Sequence, residues 1–488
     1  MPKKRQALNP YLPCYEYIPD GEPHVFGDRV YVYGSHDRFD GNKFCMNDYV
    51  CYSADIHDLT DWRYEGVIYR KTQDPRMTDG KHQLWAPDVV RGGDGRYYLY
   101  YCPDDRIRSI GVAVCDTPAG AYEFLGLVRD EKGGIIGERP GDTIAFDPGV
   151  FLDDDGTVYL YSGNGPRLKG AIGKLPKGSR VMTLKDDMFT VQTEPKKLLP
   201  TLGESEGTGF EGHEFFEASS IRKINGRYYL VYSSVKLHEL CYATSDYPDR
   251  DFVYGGVIVS NADIFPYSFD QKPKNSYGNN HGGIECIDGQ YYIFYHRQTN
   301  RSMFSRQGCA EKIEILSDGS IPQVKLTSCG LNRGPLRGKG IYPASTVCHL
   351  YGKHTPVFSH QLAMGKRHPY LTQNGKDYEP YDSSVVPPRQ YITNGKNGMM
   401  ALFRYFDMQD VGNIAVWLRG SMRGKILVLD SENGEPVAEI PVSPSKKWKK
   451  FEAKLTIPDG ERELCFKYAG KGKLDFLGFA LYVAKPEQ

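Results

Sequence analysis

The chain has no charge excess, no long apolar run and no paired cysteine motif, and each absence removes a class of function. Its 61 Lys and Arg balance 61 Asp and Glu, for a formal net charge of zero. It therefore carries no electrostatic footprint for a nucleic-acid backbone or an anionic lipid surface. No stretch is long and apolar enough to predict a membrane span. Lys3-Lys4-Arg5 leads into Asn9-Pro10-Tyr11 and not into an apolar run, so no secretory signal is read there. The 11 cysteines, scattered from Cys14 to Cys465 without a C-x-x-C pair, argue against a zinc site or a disulfide framework. They are expected to be small buried hydrophobes in a reducing, cytoplasmic setting.

Against these absences stand 36 tyrosines and 53 glycines. Tyr packs well on pleated surfaces and Gly supplies positive φ at tight bends, so the chain reads as all-β. A turn followed by an aromatic alternating strand recurs five times, as Gly27-Asp28 before Arg29–Tyr33, Asp94-Gly95 before Arg96–Tyr100, Asp155-Gly156 before Thr157–Tyr161, Asn225-Gly226 before Arg227–Tyr232 and Asp288-Gly289 before Gln290–Tyr295. Such dipeptides predict hairpins, with positive φ at both central residues of a type I′ turn. The spacing leaves room for one four-stranded sheet per repeat, which predicts a five-bladed β-propeller over residues 1–331.

Before each turn lies a short apolar strand that starts on a polar side chain, in order Asp20, Asp88, Asp147, Glu217 and His281. In a propeller these strand starts converge on one axis. Crowding like charges there is costly unless a site uses them, so the five residues are the candidate site. His36 and Asp37, at the end of the first aromatic strand, either hydrogen-bond substrate hydroxyls or cap the strand.

The motifs Asn9-Pro10 with Pro19-Asp20, Trp85-Ala86-Pro87-Asp88, Phe146-Asp147-Pro148 before Asp153-Asp154-Asp155-Gly156, and Phe216-Glu217 ahead of Arg222-Lys223 resemble glycoside hydrolase family 43. That family comprises five-bladed propellers that include β-xylosidases, α-L-arabinofuranosidases and arabinanases. The resemblance implies an inverting mechanism with Asp20 as general base, Glu217 as general acid and Asp147 as the residue that tunes the acid. Such a mechanism suits two carboxyls roughly 6.5–9.5 Å apart with water between base and sugar. It further implies that Arg306 reaches into the pocket and that His281 approaches a central Ca²⁺, although calcium prefers oxygen ligands. Trp85, Phe146 and Phe216 are expected beside the sugar, with Asp88 shaping the site. No organic cofactor is implied. Gly21-Glu22-Pro23 and Ala218-Ser219 depart from the commonest family pattern, which bears on substrate preference.

Residues 332–340, rich in glycine and basic side chains, read as a linker. Strand-like runs from 341 to 488, such as Ile414–Arg419, Lys425–Leu429 and Leu474–Phe479, suggest a β-sandwich that resembles jelly-roll family 6 carbohydrate-binding modules. The expected function is an exo-acting β-xylosidase on pentose-containing oligosaccharides, with α-L-arabinofuranosidase or dual activity as the alternative. A non-catalytic sugar-binding propeller is the reading from another class. A fructan-acting propeller is disfavoured, because Phe146-Asp147-Pro148 stands where that family has Arg-Asp-Pro.

Overall fold

The computed structural model describes residues 5–104, 107–167, 177–265, 271–359, 367–378 and 385–483. Their regular structure is almost entirely strand, with two short 3₁₀ turns at Lys71–Gln73 and Ala344–Thr346. The all-β expectation from tyrosine and glycine content holds.

Five antiparallel sheets follow one another along the chain, and within each the strands are ordered as in the sequence. The first comprises Glu22–Phe26, Arg29–Tyr33, Tyr49–Asp55 and Asp58–Tyr69. The second comprises Leu84–Arg91, Tyr97–Pro103, Gly111–Cys115 and Glu123–Leu127. Gly149–Leu152, Val158–Asn164, Gly178–Leu184 and Val191–Lys197 form the third, and Phe215–Ile224, Arg227–Ser234, Glu239–Ser245 and Val253–Ser260 the fourth. The fifth has three strands, Ile284–Ile287, Gln290–Gln298 and Arg306–Lys312. At its open edge Asn9 donates through Nδ2 to the Ala310 carbonyl at 3.1 Å and accepts from the Ala310 N–H at 3.2 Å, which occupies an otherwise exposed strand.

All five predicted hairpins form, but not all with the predicted turn. Both central residues have positive φ only at Asn225-Gly226 and Asp288-Gly289. Gly27 alone is positive in its two-residue loop, the type II′ pattern. At Gly95 and Gly156 only the glycine is positive, and the preceding aspartates accept from the N–H of Arg96 and Thr157 at 3.1 and 2.9 Å. In these two loops the Asp side chain holds the turn, so its own backbone need not become left-handed.

Adjacent residues of each second strand face opposite neighbours, and this explains why these strands are apolar on both faces. Tyr100 packs with Leu160 and Met182 of the third sheet, while Tyr101 packs with Tyr33 and Tyr49 of the first. Tyr161 meets Leu230 and Tyr232 of the fourth sheet. Val231 and Leu240 meet Ile293 and Tyr295 of the fifth, and Phe294 returns to Val32 and Val50 of the first. Each large apolar side chain buried this way contributes about 1.5–3 kcal/mol. The first strands of the five sheets also touch in a closed cycle. Packing there is tight enough that a Cβ on Gly149 would lie 2.3 Å from the Ser219 carbonyl oxygen.

Beyond the fifth sheet, the described residues form two six-stranded sheets around one core containing Phe403, Phe406, Phe466, Phe476 and Phe479. Residues 332–340 do not behave as a linker. Leu336–Arg337 pairs in parallel with Met400–Met408, and Gly340–Pro343 pairs with Leu474–Val483. Leu336 is fully buried in that core, so one apolar side chain outweighs the flexibility that the surrounding glycines and charges suggested.

A buried ion cluster joins the two parts. Asp263 accepts from His349 Nε2 at 2.5 Å, from Arg404 Nη2 at 2.6 Å and from the Leu326 N–H at 3.0 Å. Burial opposes ionisation of Asp263, but His349 and Arg404 outweigh it and hold its carboxyl below the ordinary range. Its stabilisation is therefore complete at neutral pH and is lost only as pH falls through that depressed value. Asp263→Ala would leave Arg404 buried with Glu463 at 3.7 Å as its ion-pair partner among the described residues. Removing one partner of a buried pair costs about 3–5 kcal/mol, so urea unfolding at pH 7 should show a loss of that size. A loss below about 1 kcal/mol, the scale of an exposed pair, would show that the cluster does not hold the two parts together.

Candidate active site

The starts of the inner strands bring three of the four predicted carboxylates into one cavity of about 170 Å³. That is smaller than the roughly 300–1,000 Å³ of pockets for drug-sized ligands, and of a size for one sugar ring. Asp20, Asp147 and Glu217 line it, together with Trp85, Phe146, Phe216, His281 and Arg306. Asp20 and Asp147 adopt positive φ of 56° and 46°, a conformation that Asp tolerates better than most residues. The Gly21–Gly282 bridge ties the first and fifth sheets beside Asp20. Glu217 sits where the register of its strand shifts against Arg227–Ser234, and such bulges re-aim side chains.

Arg306 organises one wall. Its Nη1 donates to Asp20 Oδ1 at 2.9 Å, while Nε and Nη2 fork onto the two oxygens of Asp37 at 2.9 and 3.0 Å. The guanidinium carbon lies 4.8 Å from the centre of the Phe44 ring. Burial would raise the Asp20 pKa, but the Arg306 guanidinium outweighs it and holds Asp20 below its ordinary value. His296 is neutral, because burial pushes it down to about 3. Its Nε2 lies 2.7 Å from the Asn279 carbonyl and its Nδ1 accepts the Asp20 N–H at 3.3 Å, which fixes the tautomer.

The opposite wall is poised the other way. Burial, then the charge of Asp20, pushes Glu217 up to about 7. Burial, then Glu217 and Asp20, raises Asp147 as well. Two buried carboxyls that repel one another hold on to a proton where an isolated one would release it. Asn164 Nδ2 donates to Glu217 Oε2 at 3.1 Å, and Lys177 Nζ donates to Asn164 Oδ1 at 2.9 Å. The cavity thus offers an ionised carboxylate across from a protonated one, the pairing that general base and general acid work requires.

Three predicted residues lie outside this cavity. Asp88 follows a register shift after Trp85, and its carboxylate accepts from His24 Nε2 at 2.7 Å and the Val150 N–H at 2.8 Å. It ties the second sheet to the first and the third and does not line the cavity. Asp37 is fully buried under Arg306, so it is neither a strand cap nor a hydroxyl ligand. His36, next in the chain, points the other way, toward the Asp48 carbonyl at 2.9 Å and Glu16 at 3.7 Å. Sequence reasoning missed Phe44, Asn164, Arg167, Met303 and Phe358, of which all but Asn164 line the cavity. Asn164 ends the third aromatic strand and was open to the same strand-end argument. Phe358 comes from the far side of the supposed linker, and no sequence signal marks it.

The surroundings of His281 fit a cation better through oxygen than through the imidazole. His281 Nε2 lies 3.8 Å from Glu22 Oε1 and Nδ1 lies 3.7 Å from Asp147 Oδ2. Glu22 Oε1 is buried without a hydrogen-bond partner among the described residues, and burial with the nearby Asp88 charge pushes Glu22 up to about 8. Glu22, His24 and Asp88 bring potential ligand atoms within 4.8 Å of one another. Of these, the two carboxylates are the donors that suit a hard cation, and Arg222 Nη2 lies 3.5 Å from Glu22 Oε2.

The family model for "Glycosyl hydrolases family 43" matches residues 18–321. A xylosidase/arabinosidase of Thermoclostridium stercorarium is 51% identical over 98% of this chain and 99% of its own length. A solved family 43 β-xylosidase/α-arabinofuranosidase from a compost microbial metagenome, in complex with xylotriose and in a calcium-free form, is 27% identical, covering 66% of this chain and 98% of that one, with a TM-score of 0.50. A family 43 arabinoxylan arabinofuranohydrolase from Bacillus subtilis, 22% identical, shares the fold over 98% of this chain and 97% of its own at a TM-score of 0.51. The chain belongs to glycosyl hydrolases family 43.

Proposed function

We propose that the protein is an inverting exo-glycosidase of five-bladed propeller architecture that releases xylose from the ends of xylo-oligosaccharides, and that it also accepts α-L-arabinofuranosides. The observation that carries this reading is the opposed protonation of Asp20 and Glu217 around a cavity of about 170 Å³. The closed cycle of inner-strand contacts supports the propeller. The dual substrate class is favoured by the T. stercorarium relative, whose name carries both activities.

In this reading one terminal pentose fills the cavity, with Trp85, Phe146 and Phe216 against its faces. The buried Trp85 indole N–H has no hydrogen-bond partner among the described residues, and in this reading it donates to a sugar hydroxyl. Asp20 removes a proton from water as it attacks the anomeric carbon, and Glu217 gives its proton to the departing oxygen. Burial and the Asp20 charge keep Glu217 protonated, Asp147, itself raised by burial and by Glu217, competes with it for that proton, and Arg306 keeps Asp20 ionised by attraction. Ca²⁺ would be held by the Glu22 and Asp88 carboxylates beside His281, where its charge would offset the cost of burying both. The C-terminal sheets form a β-sandwich of the carbohydrate-binding-module type, and the site of action is the cytoplasm.

Nitrophenyl β-xyloside and nitrophenyl α-L-arabinofuranoside should both release nitrophenol. If neither is cleaved while xylobiose also stays intact, the pentosidase reading is wrong.

Asp20→Asn should lose about two to four powers of ten in rate on every substrate. Glu217→Gln should lose as much on xylobiose, whose alkoxide departs poorly, and far less on the nitrophenyl glycoside, whose phenolate needs no proton. Equal losses on both substrates would assign the acid to another residue.

The basic limb of kcat/KM should fall near pH 7, where Glu217 gives up its proton, and Asp147→Asn should move that limb to lower pH, because Glu217 then no longer faces a second buried carboxyl that competes to ionise. A limb that stays in place would separate Asp147 from the acid. Exhaustive EDTA treatment should lower both the rate and the thermal midpoint, with Ca²⁺ restoring them. An unchanged midpoint would remove the cation from the mechanism.

A further inference from the structure

The wall that holds Arg306 is itself held from the second part of the molecule. Between the buried Asp37 and the strand beginning at Tyr49, residues 38–48 form an irregular loop. Its inner side carries Phe44, whose ring packs on Arg306 at 4.8 Å and edge-on against Trp85 and Phe304 with ring centres 6.0 and 4.7 Å apart. Cys45 is fully buried against the same guanidinium, with Sγ 3.4 Å from Arg306 Nη2 and its N–H on Asp37 Oδ1 at 2.9 Å. The outer side of the loop meets Asp377. Asp377 Oδ1 accepts the Phe39 N–H at 2.7 Å, and Oδ2 accepts from Asn47 Nδ2 at 3.0 Å.

One carboxylate therefore spans the loop near both ends, eight positions apart in sequence (47 − 39), and closes it into a clamp. A second bridge runs in parallel, with Asn300 Nδ2 donating to Asp40 Oδ1 at 3.0 Å and Thr372 Oγ1 donating to Asn300 Oδ1 at 2.9 Å. Tyr17 adds a third tie, its hydroxyl donating to Gln373 Oε1 at 2.8 Å. All three bridges end on residues 372–377, beside the strand Tyr370–Gln373 of the C-terminal sheets.

We propose that Asp377 is a positioning residue for the hydrolytic reaction: by clamping loop 38–48 at Phe39 and Asn47 it fixes Phe44 and Cys45 against Arg306, and through Arg306 it sets the placement of the Asp20 carboxylate. The C-terminal part is then a working piece of the active-site wall as well as a neighbour of it. The inference rests on the base role given to Asp20 above. The physical case is one of precision. Misplacing a reacting group by about 1 Å costs on the order of 10²-fold in rate, and a loop without regular structure has no ladder of its own to hold Phe44 to that tolerance. Charged acceptors make stronger bonds to N–H groups than neutral ones, which explains a carboxylate at this point.

The test uses the full chain and whichever aryl glycoside the parent hydrolyses, so that a wrong substrate assignment shows in the parent and a wrong clamp only in the variants. Asp377→Ala should lower kcat about tenfold or more, with the thermal midpoint within about 4 °C of the parent, roughly the effect of 1 kcal/mol or less. Asp377→Asn, which keeps an acceptor for the Phe39 N–H, should recover most of that loss. In combination with Asn47→Ala, the Asp377→Ala loss should be less than additive, since the two residues share one of the bonds that hold the loop. If kcat of Asp377→Ala stays within about twofold, or if Asp377→Asn is as impaired as Asp377→Ala, the clamp is not a positioning device. Should Asp377→Ala fail to fold, Asn47→Ala decides alone, and a folded Asn47→Ala with parental kcat overturns the proposal.

Discussion

The ion triad Asp37–Arg306–Asp20 is the constraint on which the rest of the site depends. A fully buried guanidinium must have its charge answered, and here two carboxylates answer it at 2.9–3.0 Å. One, Asp37, takes the bidentate fork and is spent on holding the arginine. The other, Asp20, receives a single bond from the guanidinium and lines the cavity. Without Arg306, Asp20 would join Asp147 and Glu217 as a third buried acid with a raised pKa. With it, the cavity separates into an ionised and a protonated side, the division of labour that acid–base hydrolysis of a glycoside requires.

The surrounding fold serves to keep that division rigid. Each sheet shares a core with its two neighbours, so no sheet can shift without disturbing others, and the cost of crowding carboxylates at the centre is met by packing at the periphery. Asp88 belongs to the same economy of position, since it joins its own sheet to two others through His24 and the Val150 N–H. Glu22 keeps one buried oxygen without a hydrogen-bond partner among the described residues, while its other oxygen meets Ser220 and Arg222.

The C-terminal sheets are tied to this assembly by two kinds of contact that do different things. The Asp263–His349–Arg404 cluster is fully buried and holds the parts together. The bonds from Gln373 and Asp377, and the Phe358 ring in the cavity, reach the active-site wall. A module that only bound carbohydrate at a distance would need the first kind of contact and not the second.

Much of the site was legible along the chain because hairpin repeats are local. Turn residues and alternating strands act over a few residues, and a repeat places equivalent positions on one axis, so Asp20, Asp147, Glu217 and His281 could be aligned by counting back from each turn. Counting failed at Asp88, because a bulge after Trp85 changes the register and a bulge has no reliable local signature. It failed at His36 and Asp37 because alternation sends neighbours to opposite sides, and which side faces the cavity depends on where Arg306 arrives from the fifth sheet. Leu336 and Phe358 were illegible for a related reason: a single apolar side chain in a polar segment is buried only if distant sheets leave a space for it. Local turn and strand patterns determined the sheets and the carboxylates. Tertiary structure alone decided their protonation and their supports, because both arise from burial and from charges brought together across hundreds of residues.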